Sequence, residues 1–449
     1  MATSVVKEKS SYTEAFRALQ AKADGTSPSW LKLLRESAME SFERTGFPTV
    51  GEEDWKYTNV APIAKTSFTP AFERPQTTLD MDANRLEPFE YTEAIHSRLV
   101  FVNGIYHPNL SSLTALPEGV VALDLAEAFK SEAYAEVLRE HLGRHADYGA
   151  NAFNALNTAL LSSGAFLFIP KGAQVETPIH LLFLSDPQAE PGISSPRVLV
   201  VAERESAATV IESYASVQDG VYLTNAVVEV VLEEAARLEF YKVQNESQQS
   251  FHVATTRADL GRNSSFNATT ITLGAQLSRH DINVTMDEEG AECWVDGLYL
   301  VSTGQHADTH SLIDHRKPHC TSHQLYKGIL DGKSRAVFNG KVFVRRDAQQ
   351  TDAMQTNKNL LLSNDARVDT KPQLEIFADD VKCAHGAAIG QLDEEELFYL
   401  ASRGMNTELA RNLLTYGFAE EVIDKIKIET IKAQLDQAVL HRLHAQLDV

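Results

Sequence analysis

Ala208-Thr-Val210, Ala236-Arg-Leu238, Ser265-Phe-Asn267 and Ala291-Glu-Cys293 share one design: a turn carrying a small residue leads into a short strand. Ser334-Arg-Ala336 and Ala366-Arg-Val368 continue the series, with steps of 28, 29, 26, 43 and 32 residues. A small residue at a corner lets successive backbones stack closely, and strand alternation then buries every second side chain. From about Ala165 to about Ala388, β-rich runs alternate with Gly, Asn, Asp and Ser turns, and helix-period stretches are nearly absent. So long a β segment exceeds one sandwich, and the recurrence favours a stacked β-solenoid over two sandwiches. The irregular steps leave chance recurrence of Ala and Ser as the competing reading.

The flanks read differently. Ser27-Pro28 predicts an N-cap with proline at N1, and Trp30, Leu33, Leu34, Ser37, Ala38 and Phe42 keep the helical period until Gly46. Residues 66–90 read as a poorly structured connection, Arg98–Asn103 as strand-like and Leu123–Leu142 as helical. At the other end, Asp393 caps a helix running to Gly404, and a second helix spans about Glu408–Tyr416 and stops at Gly417. A third places Ile428, Ile431, Leu435, Val439 and Leu443 on one stripe. The expected organisation is a mainly helical region 1–164, a β core 165–390 and a helical region 391–449.

Of 449 residues, 43% are hydrophobic and 23% charged, enough apolar surface for a real core. Acidic residues outnumber basic ones 62 to 41, for a net charge of −21. Such a surface repels phosphate backbones and anionic lipid, which argues against nucleic-acid or membrane partners. Residues 1–20 hold Lys7, Glu8, Lys9, Glu14 and Arg17, so no secretory signal fits there. Cys293, Cys320 and Cys383 are odd in number and lack C-x-x-C spacing, which excludes a four-cysteine zinc site within one chain. Three free thiols point to a reducing compartment, the cytoplasm, or a plastid stroma for a mature organellar form.

Three motifs invite chemistry. Gly328-Ile-Leu-Asp-Gly332-Lys333-Ser334 is one residue short of a phosphate loop and has no helix to follow it, so a turn between strands is the better reading and no ATPase activity is expected. His306, His310, His315, His319, Cys320 and His323 have the composition of a metal site. Pro318 interrupts any single helix there, and polar corner residues bonded to backbone explain the cluster more cheaply. Cys383-Ala-His385 places a thiol and an imidazole on one strand face, a donor pair suited to iron or zinc. Two ligands cannot close a site, so others would come from elsewhere, such as another chain. Alone, the motif reads more simply as a buried cysteine beside a hydrogen-bonded histidine.

Several ordered blocks change that balance. They are His319-Cys-Thr-Ser-His-Gln-Leu-Tyr-Lys327-Gly328, Phe338-Asn-Gly-Lys341, Gln349-Gln350-Thr351-Asp352, Gln355-Thr-Asn-Lys358, Lys371-Pro-Gln-Leu-Glu375, Asp379-Asp380-Val-Lys-Cys383-Ala-His385-Gly386 and Leu397-Phe-Tyr-Leu-Ala-Ser-Arg403-Gly404. Over roughly residues 150–420 the chain resembles the SufB/SufD family of iron–sulfur cluster assembly proteins. Gly46-Phe-Pro-Thr and Glu53-Asp-Trp-Lys-Tyr-Thr58 resemble the SufD branch, as does Gly386 where SufB typically carries glutamate.

The resemblance implies a right-handed parallel β-helix with helical ends. It implies a non-enzymatic subunit that pairs with SufB and docks the ATPase SufC on its C-terminal helices. His385, supported by Cys383, would serve cluster assembly at the SufB interface as a transient, shared metal ligand. ATP would be bound by SufC, and no cofactor would be held stably by this chain. Phe398, Arg403 and Met405 are the candidate SufC contacts, being side-chain types enriched at interfaces. A homodimer of the isolated chain, flavin binding and the iron donor stay open. The competing functions are an autonomous SufB-like scaffold and a polysaccharide-active β-helix enzyme.

Overall fold

The computed structural model describes residues 2–23, 27–73, 85–187 and 190–442. Consecutive core strands fall alternately into two sheets, so each coil gives one strand to each, and the result is a parallel β-solenoid. The first sheet begins at an outer strand, Arg367–Ile376, and continues through Arg335–Val344, His306–His315, Leu277–Met286, Phe251–Leu260, Tyr222–Leu232 and Arg197–Ala202 to Gly164–Ile169. The second begins at Val381–Gly390 and continues through Thr351–Leu361, Thr321–Leu330, Glu292–Val301, Ser265–Thr272, Arg237–Asn245 and Ala207–Ser216 to Ile179–Ser185 and Arg98–Val102.

One corner explains the repeat. Glu205, Ala235, Asn263, Gly290, His319 and Gln350 all take a left-handed backbone, with φ between 53° and 73°. Each precedes a small, buried residue: Ser206, Ala236, Ser264, Ala291, Cys320 and Thr351. The corners bond to one another through backbone, as in Glu205 N–H to Glu234 O at 2.9 Å and His319 N–H to Gln349 O at 3.0 Å. Ala208, Ala236, Ser265 and Ala291 mark this corner, but Ser334 and Ala366 lead into the other sheet, at Arg335–Val344 and Arg367–Ile376. The step of 43 residues is where the series changes sheet.

The solenoid starts upstream of residue 165. Arg98–Val102 pairs in parallel with Ile179–Ser185, and Val121–Asp124 lies antiparallel on Gly164–Ile169, covering that edge. Leu123–Leu142 is therefore not one helix: strand pairing claims its start, and Asp124 then caps a short turn at Leu125–Ala128. Helix resumes at Ala135–His141. In the helix Ser29–Thr45, Pro28 itself occupies the N-cap, and the buried stripe is Leu31, Leu34, Arg35, Ala38, Met39 and Phe42, with Leu33 exposed. Within 66–90, Thr69–Pro70 pairs with Gly192-Ile193, while residues 74–84 lie outside the described residues.

N-terminal aromatics (Phe42, Trp55, Phe153) cover the outer face of the first sheet at Ile193, Leu223, Phe251 and Leu277. Val422, Ile426, Ile431, Leu435 and Val439 cover the second sheet at Ile211, Tyr241, Leu298 and Ile329. The stripe's last member, Leu443, lies outside the described residues. Gly417 does not end its helix, which runs Thr407–Ile423, because packing of Ala419, Val422 and Ile423 on the sheet carries it onward. A Cβ at Gly417 would meet nothing within 4 Å. Gly417→Ala is therefore expected to stabilise the protein by about 0.5–1 kcal/mol, read as a higher urea midpoint. Among the described residues no helix is long and apolar enough to cross a membrane.

Candidate functional site at the open end of the solenoid

Alternate side chains of the second sheet enter the lumen between the sheets, and in-register pairing stacks them into rows. One row reads Ala208, Leu238, Phe266, Cys293, Ser322, Ala353, Cys383. Beside it runs Val210, Phe240, Ala268, Val295, Gln324, Gln355, His385. Every member before the last coil is buried. Cys383 and His385 thus share one strand face, and that face is the lumen. Among the described residues no strand pairs beyond Val381–Gly390 or Arg367–Ile376, so two edges with unpaired backbone frame this end. Ile376, Phe377 and Ile389 are exposed there.

The two donors differ. Cys383 packs against the buried Val342, Val344, Ala348 and Ala353. Burial pushes its thiol above the ordinary value, and the Asp352 carboxylate adds to the rise. It therefore stands as a neutral thiol, a poorer ligand than a thiolate. His385 is exposed, and a Cβ on the next residue, Gly386, would meet nothing within 4 Å. An imidazole at an uncovered rim can reach a metal or a proton on a second chain; within this chain the pair supplies only two donors.

The other sequence-predicted residues lie elsewhere. The helix Glu394–Ser402, capped by Asp393 at 2.7 Å from Glu395 N–H, has no buried residue. Phe398 is 76% exposed, so it is not buried against the core. Arg403 lies over the Tyr399 ring, 5.2 Å from its centroid, and Met405 is half-buried. The histidine cluster is spread over both sheets. His306 bonds Thr58 at 2.9 Å, His310 meets Asp308, His315 bonds Ser322 at 2.8 Å, and His323 stacks on Trp294. His319 and Cys320 form a corner, and no group of three or more metal-ligating side chains assembles among the described residues. Gly328 sits within a strand against Tyr299 and Asn359 rather than in a phosphate loop.

Residues 183–418 match the SufBD core domain of the SUF system for FeS cluster assembly, and residues 6–181 match the SufBD N-terminal region. The chain belongs to the SufBD family. It is 37% identical to an iron–sulfur cluster assembly SufBD family protein of Synechocystis, over 94% of this chain and 93% of that one. It is 32% identical to the iron–sulfur cluster assembly protein SufD of Escherichia coli, over 90% and 91%. It is 30% identical to the chloroplastic protein ABCI7 of Arabidopsis thaliana, over 90% and 84%. The SufBD core match includes both open edges and the exposed helix Glu394–Ser402.

Two structural roles in this SufBD chain were not read from the sequence. Glu53–Thr58 is a clamp on the first sheet. Trp55 stacks on Arg279 at 3.8 Å, Arg279 donates to Asp54 O at 2.7 Å, Thr58 bonds Asp308 at 2.5 Å, and Glu53 pairs with Lys371 at 2.7 Å. The second is a buried polar column in the lumen. Asn359 donates to Asn357 at 2.7 Å, and Asn357 to Tyr299 at 3.3 Å. Gln355-x-Asn357-x-Asn359 has the period of one strand face, the signal that was available for it.

Proposed function

We propose that this chain is a SufD-type, non-enzymatic subunit that pairs with SufB through the open end of its solenoid and docks the ATPase SufC on Glu394–Ser402. The observation that carries the reading is the uncovered last coil, which puts His385 between two unpaired strand edges. Exposed edges are liabilities that monomeric proteins blunt or cover, so their presence beside apolar Ile376, Phe377 and Ile389 supports a partner of like architecture. His385, aided by Cys383, holds or relays to a transient iron–sulfur cluster whose remaining ligands come from SufB. ATP is bound by SufC. The bacterial and chloroplastic relatives support the cytosol, or the plastid stroma, as the compartment.

Co-purification with SufB and SufC tests the assembly, and incubation of the chain alone with iron and sulfide tests the division of labour. A stoichiometric cluster on the isolated chain would favour an autonomous scaffold. For SufC, a point substitution is cleaner than removing residues 391–449, which would also strip Val422, Ile426 and Ile431 from the second sheet. Phe398→Glu is expected to weaken SufC capture by about 2 kcal/mol, roughly thirtyfold, the scale of an interface anchor. SufB capture and folding should be unchanged, since Phe398 touches solvent. Unaltered SufC capture would move the docking surface elsewhere.

A further inference from the structure

The row beneath His385 ends in two stacked amides. Gln324 and Gln355 pair in register, and Gln355 pairs in register with His385. Both glutamines are buried, Gln355 completely. Gln355 Nε2 donates to Gln324 Oε1 at 2.5 Å. The pair keeps two buried atoms without partners, Gln324 Nε2 on the inner side and Gln355 Oε1 on the side of the last coil. A buried carbonyl left unpaired is costly, so it marks a bond waiting to be made. The opposite wall is shaped around this amide: a Cβ on Gly340 would lie 2.4 Å from Gln355 Nε2. The layer directly above Gln355 in its row is His385, the one lumen-facing imidazole of the last coil.

We infer that Gln355 is a positioning residue for His385: its amide oxygen accepts the hydrogen of one ring nitrogen, turning the other nitrogen toward the open end. A backbone or side-chain carbonyl behind a ligating histidine fixes its tautomer and ring orientation and strengthens it as a donor. Gln324 anchors the amide from below, so the ladder Gln324–Gln355–His385 carries order from the packed lumen to the rim. The relevance of the held ring to cluster assembly rests on the function proposed above; the hydrogen bond itself does not.

The test uses the full chain labelled with 15N only in histidine. A ring N–H resonance of His385, assigned by its loss in His385→Ala and protected from exchange with water, is expected. Gln355→Leu removes the acceptor and should abolish that resonance. Gln355→Asn shortens the arm by one methylene and should abolish it while keeping a polar side chain. Gln355→Glu retains an oxygen acceptor and should keep it. Absence of a protected His385 N–H, or its persistence in Gln355→Leu and Gln355→Asn alike, overturns the inference. A protected N–H in a protein whose His385→Ala form matures iron–sulfur enzymes normally would refute the proposed role of His385 and leave the positioning bond standing.

Discussion

His385→Ala is expected to purify with SufB and SufC in normal yield, to support SufC ATPase activity, and to fail in maturing iron–sulfur enzymes in cells. The structure separates this outcome from simple destabilisation. A buried histidine would leave an orphaned partner when removed, at about 1–3 kcal/mol. His385 is instead exposed on an edge strand. Removing the imidazole opens the rim so that water can reach the Gln355 carbonyl in its place, and truncating an exposed side chain of that kind changes stability by no more than about 0.5 kcal/mol. A direct ligand, by contrast, should matter at least as much as the outer groups that support ligands, whose loss costs roughly 10–100-fold in metal affinity or activity. Cys383→Ala should have the milder effect, because the thiol is held neutral by burial against Val342 and Ala353. Normal enzyme maturation in the His385→Ala strain would remove the functional reading of this residue.

How much of this was legible in the sequence depends on which physical signal each part leaves. The solenoid was legible because a stacked corner needs a small residue each coil, and Ala236 and Ala291 supply it. Cys320 and Thr351 fill the same corner but look like a metal ligand and an ordinary polar residue, so the repeat seemed to lapse and then resume in the wrong sheet. The shared face of Cys383 and His385 follows from a period of two, which any strand imposes. That this face is the lumen does not follow, since it depends on register with Ala353 and Gln355. Gly417 misled because local propensity predicts a stop, whereas the apolar seam at Ala419, Val422 and Ile423 decides otherwise. The clamp from Glu53 to Lys371 spans 318 residues and leaves no local trace.

Arg197→Met is expected to cost about 3–5 kcal/mol and to deplete the soluble protein itself, the usual result of stranding a buried charge. Arg197 and Glu229 are both fully buried and bonded at 2.6 and 3.1 Å. Arg197 also donates to Asn157 and Thr158, each at 3.1 Å. Glu229 accepts the backbone N–H groups of Gly143, His145 and Ala146 at 2.8, 2.9 and 3.0 Å. One ion pair thereby ties the loop after Ala135–His141 and the helix Ala152–Ala159 to the first sheet. Desolvation would raise the Glu229 carboxyl, but Arg197 and the N–H groups of Ala146 and Gly143 outweigh it and hold the carboxyl below its ordinary value. A carboxyl depressed in the folded state adds stability above its unfolded value of about 4.3, and that stability is lost as pH falls through the folded value. The gap between wild type and Glu229→Gln in urea unfolding should therefore be wide at neutral pH and narrow in acid. Arg197→Met combined with Glu229→Gln should cost less than the two single changes added together, because the second change removes the charge stranded by the first. Additive costs would show that the pair is not coupled. Loss of Arg197 thus removes protein and complex together, whereas loss of His385 should leave both intact and silence only the chemistry at the rim.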